Sequence, residues 1–245
     1  MRTKYTLIKR ILLRTFLVYS LIFTANIYSE ISAQNIDNKL FIIETSTDYS
    51  NWIALNPGKE MVNLKKIIKP LYKKIYYQTK NNFTSKKLYR NPQLFLCLEA
   101  AQKLKLVQDS LLKLGLSVFL FDAYRPYRVT QIMWKIVPDE NYAANPANGS
   151  GHNRGVAVDL TLADAKTGKP LEMPTPFDSF SDTAHHDFTA LPPNKVQNRE
   201  LLKNLMEHFG FKALSTEWWH YSLPEPKRYP IVNLSFKKLN QILNK

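Results

Sequence analysis

A chain of 245 residues with 44% hydrophobic content can bury one substantial core and does not call for several domains. Its single cysteine, Cys97, excludes an intrachain disulfide and, lying in an apolar helical pattern, reads as a small buried hydrophobe. The formal charge of +14, of which residues 1–33 supply +4, suits a protein working near anionic polymers or lipid headgroups. The lysine pairs Lys65-Lys66, Lys73-Lys74 and Lys86-Lys87 are scattered and form no aromatic stacking platform, so no nucleic-acid partner is expected.

In chain order, residues 1–33 have the make-up of a targeting segment. A basic start up to Arg14 leads into a mostly apolar run over residues 16–27 and small residues ending at Ser32-Ala33. The mature chain is expected to begin near Gln34 and to be exported to the periplasm or exterior of a bacterial cell. The apolar run is shorter than the roughly 20 residues of a membrane span; an uncleaved inner-membrane anchor is the second reading, and any membrane association would run through this segment. Residues 34–60 are polar and weakly patterned, apart from the apolar run at residues 40–43, and are expected to be a loose lead-in. The catalytic domain is expected over residues 61–245.

Residues 92–114 place Leu94, Cys97, Ala101, Leu104 and Leu111 on one helical face. Asn91 is the expected N-cap, Pro92 the first helical residue and Gly115 the stop. A buried strand is expected over residues 116–121 and a shorter helix over 130–136. An Asn-, Ala- and Pro-rich loop over 138–151 is of the kind that delivers functional side chains. Alternation over residues 156–162 puts Val156, Val158, Leu160 and Leu162 on one strand face and Asp159 on the other. A helix over 199–209, capped by Asn198 and stopped by Gly210, precedes strands near 211–213 and 217–222. The order argues α+β, a single domain whose central antiparallel sheet is flanked by helices.

The chain has five histidines: His152, His185, His186, His208 and His220. The stretches Ser150-Gly151-His152, Asp159 and Glu217-Trp218-Trp219-His220 together hold two imidazoles and two carboxylates. That is the inventory of a hydrolytic zinc site with three ligands and a spare carboxylate as general base. Spacing leaves alternatives open. His152, Asp159 and His220 read equally as hydrogen-bonded core residues. His185-His186, beside Asp182 and Asp187, forms a rival metal pair, although adjacent side chains point apart in regular structure. Glu217 and His220, three apart, fall on opposite faces of a regular strand, so a joint role requires a bulge or turn.

The run from Ser150 to Leu162 resembles the SxHxxGxAxD signature of zinc D-alanyl-D-alanine dipeptidases of the VanX type, and Glu217-Trp218-Trp219-His220 is similar to that family's EWWH. Asn82-Phe83-Thr84, Asp122-Ala123-Tyr124-Arg125-Pro126, and Pro176-Phe177-Asp178 followed by His185-His186 match further landmarks in order. The resemblance implies a DD-peptidase/hedgehog-like fold and one Zn2+ per chain on His152, Asp159 and His220. It gives Glu217 the role of taking a proton from the attacking water and passing it to the leaving amine, and Arg125 that of facing the oxyanion. Ser150 and Asp178 match substrate-binding positions, Asp178 as partner of a dipeptide ammonium; alternatively Ser150 caps a turn and Asp178 stabilises its own loop. Two positions depart from the family: Ser85 where Gly often follows the Asn-Phe-Thr landmark, and Tyr76 where arginine is common.

The function so implied is hydrolysis of a small D-amino-acid dipeptide, D-alanyl-D-alanine, in wall-peptide turnover or D-alanine scavenging. The alternatives are a D,D- or L,D-carboxypeptidase or endopeptidase on peptidoglycan stems, and a non-catalytic zinc-binding protein on the same fold.

Overall fold

The structure is a computed structural model that describes residues 40–140 and 142–244; the expected targeting segment lies outside them. Among the described residues no helix is long and apolar enough to cross a membrane. The chain from Leu40 onward forms one compact α+β unit.

Among the described residues nine strands run in chain order: β1 (Ile42–Ile43), β2 (Met61–Asn63), β3 (Tyr72–Lys73), β4 (Phe95–Cys97), β5 (Leu116–Asp122), β6 (Ala157–Asp164), β7 (Lys212–Leu214), β8 (Glu217–Ser222) and β9 (Ile231–Val232). Five helices accompany them: α1 (Ser46–Leu55), α2 (Leu98–Leu112), α3 (Tyr127–Ile136), α4 (Pro193–His208) and α5 (Phe236–Leu243). The central sheet has the order β3-β5-β6-β8-β7. It is mixed rather than wholly antiparallel, because the short edge strand β3 joins β5 in parallel while every other pairing is antiparallel. Helices α2 and α4 pack side by side against it. The expected alternation in β6 holds, with Val158, Leu160 and Leu162 fully buried. Asp159 also is buried, so both faces of this strand are covered.

Three expectations change. The helix expected over residues 92–114 begins only at Leu98, with Cys97 at its cap; residues 95–97 are extended and pair with β2, Met61 opposite Cys97. Asn91 does not cap a helix but takes a left-handed conformation, φ 48°. The helix expected from Arg199 starts six residues earlier at Pro193, which leaves Asn198 inside it, donating from its side chain to the Glu172 carbonyl at 2.8 Å. Pro193 stands in the first turn, where a missing N–H costs nothing.

The lead-in is ordered from Leu40 rather than loose. Strand β1 pairs with β9, and α1 is capped by Thr45, whose hydroxyl accepts from the Asp48 N–H at 3.0 Å. Tyr49, buried on α1, accepts a hydrogen bond from the Met61 N–H at 2.7 Å and so ties this segment to β2.

Two turns carry local strain or close packing that bears on the site. Gly155 lies at φ 67° and packs so closely that an added Cβ would come within 2.9 Å of the Met61 side chain and 3.2 Å of the Cys97 backbone nitrogen. The Gly155 carbonyl accepts from that nitrogen at 2.7 Å, which fixes the His152 turn to β4. Ser85 sits at φ 52°, the left-handed region that favours glycine. Ser85→Gly is therefore expected to stabilise the protein by about 0.5–1 kcal/mol, after allowing for the freer unfolded glycine. Urea unfolding measures this, and a midpoint at or below that of the parent would contradict it.

Candidate functional site

His152, Asp159 and His220 reach one point from three separate segments. His152 opens a single 3-10 turn, His152–Arg154, between two glycines; Gly151 packs where a side chain would press to 2.9 Å from the Ala157 Cβ. The Ser150 hydroxyl accepts from the His152 N–H at 3.2 Å and the Asn153 side chain accepts from the Ser150 N–H at 2.9 Å, so Ser150 braces the entry to this turn, whose cap is Gly151. Asp159 lies mid-strand in β6, directly opposite His220 in β8. Three donor atoms result: His152 Nε2, His220 Nδ1 and Asp159 Oδ1, separated by 3.2, 3.3 and 2.9 Å. Two ligands of a tetrahedral zinc at bonds of about 2.1 Å stand roughly 3.4 Å apart, so the cluster has the size and the donor chemistry such an ion requires. Among the described residues it is the one group of three or more such side chains able to hold a metal. The His152 Nδ1 contacts the Ala123 carbonyl at 2.7 Å, the outer contact that aims Nε2 at the centre.

Glu217 reaches the same centre because β8 departs from regular pairing. Ala213 faces Tyr221 but Leu214 faces Glu217, so the three residues between have no partner on β7. This irregularity, which the spacing of Glu217 and His220 requires, turns both side chains inward, with Glu217 Oε2 3.9 Å from His220 Nδ1.

Burial would raise the Asp159 carboxyl, but His152 and His220, by charge and hydrogen bonding, hold it below its usual range. Burial would lower His220, yet the Asp159 hydrogen bond and charge raise it. Glu217 is pushed up by burial, partly offset by His220, a state suited to a group that both takes and returns a proton.

Arg125 is buried on the rim of the cluster. Its Nε and Nη2 donate to Asp122 Oδ2 at 3.1 and 2.9 Å, and Nη2 lies 3.8 Å from Asp159 Oδ2. Tyr89 donates its hydroxyl to Asp122, and the Tyr77 ring lies 5.2 Å from the guanidinium carbon. Asp178 takes a left-handed backbone, φ 59°, and its Oδ1 accepts from the Tyr77 hydroxyl at 3.1 Å. Its Oδ2 is buried without a partner. Burial first, then the charge of Asp159, raises this carboxyl well above the usual range.

All seven sequence-predicted residues, Ser150, His152, Asp159, Asp178, Glu217, His220 and Arg125, line one cavity of 290 Å3. A larger cleft of 620 Å3, lined by Lys65, Lys69 and Lys73, shares no residue with it. The rival pair is elsewhere: His186 is buried against Tyr221, and neither of its ring nitrogens has a hydrogen-bond partner, while His185 lies 3.9 Å from Asp182. Tyr124 packs away from the site, donating to the Val232 and Leu234 carbonyls. Sequence reasoning assigned no role to Tyr77, Tyr89, Asp122 or Asn153. Asp122 stood in a recognised landmark, but only the fold shows that it anchors Arg125.

A family model described as D-ala-D-ala dipeptidase matches residues 58–239. The chain belongs to this family. It is 34% identical over 177 residues, 71% of this chain and 89% of its counterpart, to a D-alanyl-D-alanine dipeptidase of Escherichia coli (strain K12). It is 32% identical over 176 residues to one of Enterococcus faecium, covering 62% of this chain and 87% of the other. A solved structure described as VanYB in complex with D-Alanine-D-Alanine is 15% identical, covers 64% of this chain and 81% of its own, and has a TM-score of 0.37. Family membership makes this protein a peptidase.

Asp122→Ala is expected to cost about 3–5 kcal/mol of stability, since it leaves the Arg125 charge buried without its nearest anion. Tyr89→Phe, which removes one neutral donor, should cost about 1 kcal/mol. Similar small losses in urea unfolding for both variants would remove Asp122 from this anchoring role.

Burial, with Lys203 and Arg199 nearby, pushes His186 down from 6.5 to about 4. The fold thus favours its neutral form, and the unfolded chain binds more protons between those values. This contribution to stability is full above pH 6.5 and falls as pH drops toward 4. Relative to wild type, His186→Leu should therefore lose less stability across that interval in urea titrations; parallel curves would contradict the assignment.

Proposed function

We propose that this protein is a zinc-dependent dipeptidase that hydrolyses D-alanyl-D-alanine to two D-alanine molecules after export from the cytoplasm. The leader-like composition of residues 1–33 supports export, and the relatives' activity, with the donor set of the cluster, supports zinc and the dipeptide.

The observation that carries the substrate class is Asp178 Oδ2, a buried carboxylate oxygen with no partner in a small cavity. A carboxylate so placed is costly unless a cation arrives, and the free ammonium of a dipeptide supplies one. Peptides whose amine is blocked leave that oxygen unpaired. The cavity, at 290 Å3, lies at the small end of ligand sites, which run from roughly 300 to 1,000 Å3, and suits two residues rather than a stem pentapeptide.

His152, Asp159 and His220 would hold the zinc, which when bound would supply Lewis acidity to the scissile carbonyl and the attacking water. Glu217 takes the proton of that water at its carboxylate and delivers it to the leaving nitrogen as the peptide bond breaks. Arg125, immobilised by Asp122, presents a fixed positive charge to the oxygen that becomes negative, an effect on the order of 3 kcal/mol. Ser150 lines the same cavity as a polar contact for the substrate.

Release of free D-alanine by the zinc-loaded protein tests this, with D-alanyl-D-alanine run beside an amino-blocked analogue and a stem pentapeptide. The free dipeptide alone should be cleaved, and Glu217→Gln should lower kcat by about 10²–10⁴ while zinc content stays unchanged. Cleavage of the blocked or longer substrates would move the protein to the carboxypeptidase class, and no cleavage of any would overturn the reading.

A further inference from the structure

Three aromatic side chains from three different loops meet beside the Asp178 end of the active-site cavity. Phe83 stands in the turn after residue 82, Phe180 two residues past Asp178, and Tyr142 in the loop after α3. The Phe83 and Phe180 rings meet edge to face with centroids 5.3 Å apart, and Phe180 and Tyr142 pack at 4.7 Å. Phe83 in turn leans on Tyr77 at 6.3 Å, the residue that holds Asp178. All three line the 290 Å3 cavity, whose floor of His152, Asp159 and Arg125 is buried, whereas Tyr142 is 38% exposed. The aromatic row therefore spans the outer wall.

A second cavity, of 440 Å3, lies past this wall and shares Phe83 and Asp178 with the first. Its other lining residues include Lys74, Lys80, Asn82 and Ser85, so it is polar space and not packed core. What separates the two at the amino-terminal end of a bound dipeptide is side chain. An extra residue attached to the substrate amine would meet the Phe83 ring, against which Phe180 packs from the active-site side, before it reached that space.

We propose that the Phe83–Phe180–Tyr142 bridge is the element that limits substrates to two residues, by closing the cavity at the amino end beyond Asp178. The inference rests on the dipeptidase reading and adds to it the residues that set substrate length. Aromatic rings suit the task, since they are large and stiff and their ring contacts, one edge to face and one tilted, tie three loops together.

The test uses calorimetric binding to zinc-loaded protein carrying Glu217→Gln, so that peptides are held without turnover. D-alanyl-D-alanine is compared with the tripeptide D-alanyl-D-alanyl-D-alanine, with and without Phe180→Ala, and then with Phe83→Ala from the facing loop. Each truncation should narrow the preference for dipeptide over tripeptide by at least roughly tenfold, the scale at which pocket shape discriminates. Phe180→Tyr, which keeps a ring, should preserve the preference. Dipeptide binding with a preference that neither truncation moves would overturn the bridge while leaving the dipeptidase reading intact. Equal binding of both peptides before any truncation would also overturn it, and absence of dipeptide binding would overturn both.

Discussion

The register that sets Asp159 of β6 opposite His220 of β8 is the constraint on which the rest of the site depends. It brings a carboxylate and an imidazole within 2.9 Å across the sheet, deep enough that neither could be left alone. A one-residue slip would send both to the other face and scatter the cluster. Burial alone would neutralise both groups, and their mutual attraction keeps the carboxylate ionised. His152 then completes the cluster from outside the sheet, on a turn that two glycines allow to lie against β4 and β6.

The same logic of paired burial extends outward. The buried Arg125 donates to Asp122, and Asp122 in turn accepts from Tyr89, so the cation beside the cluster is held by a chain of partners reaching back toward the core. Asp178 breaks this pattern. It has one partner, Tyr77, and one oxygen without any, in a molecule where nearly every other buried charge is matched. An unmatched carboxylate inside a cavity is a cost the fold sustains and a cation placed beside it would relieve.

Some of this was legible in the residues alone. Helix α2 and strand β6 announce themselves through local period, strand β5 through its apolar and β-branched composition, and the seven site residues through the motifs that contain them. The irregularity in β8 followed from the demand that Glu217 and His220 act together. Other features were present but easily passed over. Thr45-Ser46-Thr47-Asp48 is a capping signature for α1, and the Pro192-Pro193 pair marks the true start of α4. Asn91-Pro92 misled because it imitates a helix start. Residues 95–97 are extended instead, since Met61–Asn63, some thirty residues away, offers them a strand partner.

What the sequence by itself determined is the chemistry: two histidines, their carboxylates and an arginine in recognisable company, and the local period of the elements that carry most of them. Side-chain identity and short-range pattern are properties of neighbouring residues, so they survive without a fold. Only the tertiary structure decided that Tyr89 and Asp122 together secure Arg125, that His185-His186 stays apart from the His152, Asp159 and His220 cluster, and that Phe83, Phe180 and Tyr142 meet along one side of the cavity. Each of these joins segments distant along the chain, and such contacts are set by strand register and by which loops the packed sheet brings together, neither of which has a local signal.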